Sequence, residues 1–294
     1  MPATRSRSLT LRPWARRSGL SLSTGVGRLA DVIDQDVLER VLAAAVRTGA
    51  DFAEVFAEDK RSTSVGLDDG RVEQVTSGRD RGAGIRVVKG DTTGFAHTAD
   101  LSEAGLRAAA EAAAAAASQG GGGARTVALT RGAERVVSPV SQYPDDVRKA
   151  NKVALLLRMN DAARGAGASI VQVSAGYGDS RKHILVANTE GVFVTDQQVR
   201  TLIRVTAVAD GDAGMQTGSQ SAGQTIGFEL FDQVDVEDLA RDAARMAITK
   251  LDARPAPSGA LPVVIKQGSG GVLFHEACGH GLEADIIAKG GSVY

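Results

Sequence analysis

Val192-Phe193-Val194-Thr195-Asp196-Gln197-Gln198-Val199-Arg200-Thr201-Leu202-Ile203-Arg204-Val205-Thr206-Ala207-Val208-Ala209 runs without a glycine, a proline or a turn signal. Apolar and polar side chains mostly alternate along it, the two-residue period of a strand that buries one face. A strand this long crosses an extended antiparallel sheet. Shorter β-patterned runs flank it at Ser169–Tyr177, His183–Ala187 and Gly214–Thr225, and a helical pattern runs from Asp145 to about Arg164. The fold class that follows is α+β, with antiparallel sheets carrying packed helices.

The same alternation appears nearer the start. Val37, Leu38, Val41, Leu42 and Ala45 form an apolar stripe at helical spacing, stopped by Gly49. Strand patterns follow at Phe52–Phe56, Ser62–Leu67, Arg71–Thr76, Gly82–Val88 and Thr92–Ala96, with hairpin turns at Asp68-Asp69-Gly70 and Lys89-Gly90-Asp91. Asp100 and Glu103 are spaced as a capping box for an alanine-rich helix ending at Ala117, and Gly120–Gly123 reads as a flexible loop. After the long strand, Asp235 caps a helix built on Val236, Leu239, Ala243, Met246 and Ala247. Arg254-Pro255-Ala256-Pro257 marks a boundary, so residues 31–254 are expected to form an N-terminal domain and 255–294 the start of another. Within the latter, Leu261–Ile265 reads as a buried strand, and Gly268-Ser269-Gly270-Gly271 turns into a helix from Val272 to His280.

Composition bounds the function. Aromatics make up only 4% of 294 residues, so the core must be mostly Val, Leu, Ile and Ala. One cysteine excludes a disulfide framework and agrees with a cytoplasmic setting. No apolar run is long enough for a membrane helix. Residues 1–30 hold Arg5, Arg7, Arg12, Arg16, Arg17 and Arg28 and no acid, which reads as a basic, disordered leader. The net charge of −1 therefore hides an acidic body, which argues against nucleic-acid binding.

Chemistry concentrates in Phe274-His275-Glu276-Ala277-Cys278-Gly279-His280-Gly281, which holds two of the four histidines. His-Glu-x-x-x-His offers two imidazoles for a metal and a carboxylate placed to take a proton from water. On a regular α-helix, at about 100° per residue, the second histidine would sit roughly 140° away from the first. A π-bulge or a break would bring both rings to one ion, and Gly279 is where the backbone can distort cheaply. Cys278, three residues after His275, reads as a small buried apolar residue or a makeshift ligand. Glu283 and Asp285 are candidates to hold an imidazole N–H, or are solvated acids. His97 and His183 read as solvated turn residues, and Asp210–Asp212 with Gly211 as a turn. The glycine turn matches neither a phosphate-binding loop nor a nucleophile elbow, because no G-K-[ST] follows and Gln267 breaks G-x-S-x-G.

Gly270 through Asp285 resembles the signature of the TldD/PmbA metallopeptidases, also called modulators of DNA gyrase. The likeness extends to Asp69–Glu73, Gly82–Val87, Gly94–Ala96 and Val186–Val192, and so from about Asp31 to the last residue. It points to the TldD branch, which carries the metal motif. What the resemblance implies is a zinc-dependent peptidase with His275 and His280 as metal ligands and Glu276 as general base. It also implies a β-rich metallopeptidase C-terminal domain, of which this chain carries only the start. A third ligand, a cysteine, is then expected beyond residue 294, leaving this chain inactive alone. Substrates would be unfolded proteins or short peptides. The partner would be a PmbA/TldE-like subunit, or a second copy in a dimer, with no nucleic acid and no membrane involved. The alternative is a catalytically silent scaffold or partner subunit of such an assembly.

Overall fold

A computed structural model describes residues 33–117, 127–132, 139–212 and 214–294. The basic leader and the Gly120–Gly123 loop lie outside the described residues. The chain divides into two compact units, Met1–Asp252 and Ala253–Tyr294.

The first unit runs α1 (Gln35–Ala45), β1 (Phe52–Asp68), β2 (Arg71–Lys89), β3 (Thr92–Thr98), α2 (Glu103–Ala117), β4 (Thr130–Arg131), α3 (Lys149–Arg164), β5 (Ile170–Asn188), β6 (Val192–Ala209), β7 (Gln216–Gln224) and α4 (Val236–Leu251). The strands form one sheet in the order β3-β2-β1-β5-β6-β4, with β7 also on β6. All pairings are antiparallel except the short β4 with β6. The mixed helix and antiparallel-sheet class is the one the sequence implies, and β6 spans the run that first suggested it.

Several runs that the sequence separates are continuous. Phe52–Phe56 and Ser62–Leu67 are one strand, as are Arg71–Thr76 with Gly82–Val88 and Ser169–Tyr177 with His183–Ala187. The polar segments between them are not turns, because they pair with one another: Lys60 lies opposite Asp80 and Lys182, and Asp179 opposite Thr63 and Thr201. Ladder hydrogen bonds use backbone groups and tolerate polar side chains that find partners of their own. Capping also differs at α2. Asp100 Oδ1 accepts from the Ser102 N–H (2.9 Å) and Ser102 Oγ from the Gly105 N–H (3.2 Å), while Glu103 turns away to Arg40 (2.7 Å). Ser102 is therefore the cap, and no Asp100–Glu103 box forms. At α4, Asp235 caps as expected, accepting from the Glu237 and Asp238 N–H groups.

Alternation places α1, α2, α3 and α4 on one face. Ala53, Val55, Ala57, Val65 and Leu67 are separated by even steps along β1 and are all buried. The first three, with Ile85, Val87 and Phe193, lie beneath α1 and α2; the last two, with Val173, Ile203 and Ala207, lie beneath α3 and α4. Each helix pair thus caps one end of the same long strands. Where a helix crosses an outer strand most closely, the strand carries glycine. A Cβ on Gly94 would fall 2.0 Å from the Ala113 carbonyl oxygen of α2, and one on Gly218 would fall 2.1 Å from the Ala243 carbonyl oxygen of α4. Backbone cannot give way as a side chain can. Gly218→Ala is expected to lose about 1–3 kcal/mol as α4 is pushed off β7. A thermal melt unchanged from wild type would show that this contact is looser than described.

In the second unit α5 spans Ser269–Phe274 and α6 Ala284–Ala288, and none of its residues forms a strand. Leu261–Ile265 is therefore not the buried strand its apolar run suggests: it is irregular chain with exposed side chains, Val264 at 91%. An apolar run alone cannot make a strand, since the backbone groups need a neighbouring chain to pair with.

Candidate metal centre

Gly268, at φ +89°, makes the turn that starts α5. Gly270 follows for a different reason: a Cβ there would collide with Ile265 Cγ2 at 2.3 Å. After α5 the helix widens. His275–Gly279 is a π turn, closed by the His280 N–H donating to the His275 carbonyl five residues back. Of the two distortions that the five-residue histidine spacing allows, a π-bulge or a break, this is the first. A 3₁₀ turn over His280–Leu282 tightens the chain again, and Glu283 leaves it in extended backbone.

The widened turn converges the side chains. The His275 and His280 rings lie edge to face with centroids 4.5 Å apart. One ligand atom each from His275, Glu276 and His280 lies within 4.8 Å of the others. Tetrahedral zinc at bond lengths of about 2.1 Å asks for ligand atoms ~3.4 Å apart. Side-chain rotation of exposed groups covers that difference, and a pair of imidazoles with a carboxylate beside them suits zinc and its water. Gly279 also matters beneath the site, since a Cβ there would press on His275 Nδ1 at 3.3 Å.

His280 is oriented from both sides. Its Nδ1 is 2.6 Å from Glu283 Oε1 and its Nε2 is 3.3 Å from Glu276 Oε2. The hydrogen bond and charge of Glu283, with a smaller contribution from Glu276, hold the imidazole above its ordinary pKa. A ligand nitrogen must be free of its proton, so acid would compete with a metal at this ring, and affinity would fall as pH drops through that raised value. Glu283 thus does what a carboxylate behind a metal-bound histidine does: it fixes the ring and raises its basicity.

Asp285, the other candidate for that role, instead faces Lys289 at 3.5 Å. Cys278 is half-buried and outside the converging group. Its thiol lies beside the Tyr294 hydroxyl and pushes that group's pKa up. Sequence reasoning missed the tail that braces the turn: Tyr294 Oη donates to the Ala277 carbonyl (3.2 Å) and Ser292 Oγ to the Gly281 carbonyl (2.6 Å). No local pattern signals such a return. His97 and His183 are not turn residues: both sit within strands, His97 against Phe95 and His183 half-buried with Nε2 unpartnered among the described residues. Desolvation and the neighbouring Arg181 lower the His183 pKa.

Residues 53–117 match PmbA/TldA metallopeptidase domain 1, and residues 142–251 the PmbA/TldA metallopeptidase central domain. A metalloprotease of Methanothermobacter thermautotrophicus is 32% identical over 264 residues, covering 89% of this chain and 56% of the relative. A metalloprotease TldD homolog of Haemophilus influenzae is 31% identical over 256 residues, covering 83% of this chain and 52% of the relative. The chain spans about half the length of these curated relatives. Among solved structures, a modulator of a DNA gyrase from Thermotoga maritima superposes with a TM-score of 0.60 at 20% identity, over 76% of this chain and 50% of that one. That last likeness speaks to fold alone. Both matched domains lie in the first unit, so the π turn stands on its own geometry.

Proposed function

The chain belongs to the PmbA/TldD metallopeptidase family, and on that premise we propose that it serves a zinc-dependent peptidase acting on unfolded proteins or short peptides. The observation that carries this reading is the π turn that gathers His275, Glu276 and His280 around one point. Zinc, when bound, supplies Lewis acidity toward the scissile carbonyl and acidifies water.

The chain's own residues do the rest. His275 and His280 would hold the ion, and Glu283 fixes the His280 ring through the bond at Nδ1. Glu276 takes a proton from the attacking water and delivers it to the departing amine. Open catalytic zinc sites keep three protein ligands. With Glu276 reserved for proton transfer, the described residues bring up no third, and turnover in this reading waits on one.

The assembly is proposed as a TldD/PmbA-type dimer in the cytoplasm. Among the described residues no helix is long and apolar enough to cross a membrane. Bound zinc and peptide hydrolysis, followed together, test the reading: both must be present in the assembled enzyme. Zinc-free protein that still completes a dimer would favour the silent-scaffold alternative.

A further inference from the structure

We propose that a cleft between the β1–β2 ribbon and the start of α3 binds a small polyanion of phosphate or carboxylate chemistry. The cleft has a volume of about 580 Å³ and is lined by Arg61, Arg79, Arg148, Lys149 and Lys152 against one acid, Asp145. That size suits a small-molecule ligand.

The register makes the charge arrangement unusual. Arg79 of β2, Arg61 of β1 and Arg181 of β5 lie directly opposite one another, a rank of three cations across adjacent strands. Like charges in directly opposed positions destabilise a sheet. The neighbouring acids pair directly with the two ends of the rank, while Arg61 at its centre has only the longer-range attraction of Asp59. Asp59 is paired with Arg79, and Asp145 lies 3.7 Å from Arg181, which also hydrogen-bonds Gln197 and stacks over Tyr143 at 4.0 Å. Asp179 is taken by Lys152 at 2.5 Å. Among the described residues, the Arg61 guanidinium has neither ion pair nor hydrogen bond, though the residue is only partly exposed. Arg148 and Lys149 across the cleft likewise have no acid.

An ordinary solvated basic face would scatter its charges. Here Arg61, with the exposed Arg148 and Lys149 across from it, lines one concavity, and the acid in that lining, Asp145, is drawn to Arg181. An oxyanion between them would satisfy the forked guanidinium donors and remove the repulsion in the rank.

Calorimetry and thermal melting of the full chain with millimolar inorganic pyrophosphate or citrate, at ionic strength matched with sodium chloride, test this. Saturable binding is expected, with a rise in melting temperature of about 3 °C or more. Arg61→Gln is expected to weaken binding at least tenfold, while melting no lower than wild type without ligand. Arg107→Gln, the same charge change on α2, controls for screening and for chelation of divalent ions and should bind as wild type. Binding of pyrophosphate alone assigns a phosphate ligand, and of citrate alone a carboxylate. The proposal is overturned by the absence of saturable binding with both anions, or by equal effects of the two variants. A lower melting temperature for Arg61→Gln would also overturn it, showing that Arg61 already has a partner in the chain.

Discussion

Lys152→Met is expected to destabilise the protein by about 3–5 kcal/mol, among the largest losses available from one side chain. Lys152 Nζ lies 2.5 Å from Asp179 Oδ2, with side-chain exposures of 2% and 1%. It also sits 5.3 Å above the Tyr177 ring, whose hydroxyl is buried. Burial and the Asp179 charge push the Tyr177 pKa up, so that hydroxyl stays neutral and cannot replace the lost cation. Removing lysine alone therefore strands a carboxylate beneath α3. Removing both charges, as in Lys152→Met with Asp179→Leu, should recover most of the loss, because an apolar pair of similar volume avoids desolvating two ions. Urea unfolding of the single and double variants separates the outcomes. A single variant within about 1 kcal/mol of wild type would mean that water reaches the pair.

The second large effect is chemical. Glu276→Gln keeps the side-chain shape and leaves His275 and His280 in place, but glutamine cannot accept the water proton. Peptide hydrolysis by the assembled enzyme is expected to fall by roughly 10²–10⁴-fold, with bound zinc unchanged. The effect should lie in kcat rather than KM, since Glu276 acts on the reacting water and not on substrate binding. Loss of zinc together with activity would instead make Glu276 a ligand. Unchanged turnover would assign the proton transfer to another group.

Much of this was legible in the sequence because local period and global fold agree. Alternation along Val192–Ala209 fixes β6, and the Asp235 cap fixes the start of α4. What local pattern could not reveal was partnership at a distance. The charged middles of β1, β2 and β5 look like breaks until Asp59 meets Arg79 and Asp179 meets Lys152. The Leu261–Ile265 run looks like a strand for the converse reason, since its apolar residues carry no sign that the described chain offers no ladder. At the candidate centre, spacing alone calls for a π-bulge or a break and makes Glu283 and Asp285 candidate supports. Whether Glu283 or Asp285 faces His280 depends on the extended backbone at Glu283, which no periodicity encodes. The bracing by Ser292 and Tyr294 was likewise invisible before the tail was seen to return.

The central claim is that His275 and His280, five residues apart, act on a single ion. Titration of zinc or cobalt into the full chain, read by metal content and by the ring resonances of both histidines, tests it most directly. One ion per chain that shifts both rings together, and that is lost equally in His275→Ala and His280→Ala, is the expected result. Rings that respond independently to bound metal, or an assembled enzyme that holds no metal while its π turn stays intact, would contradict it.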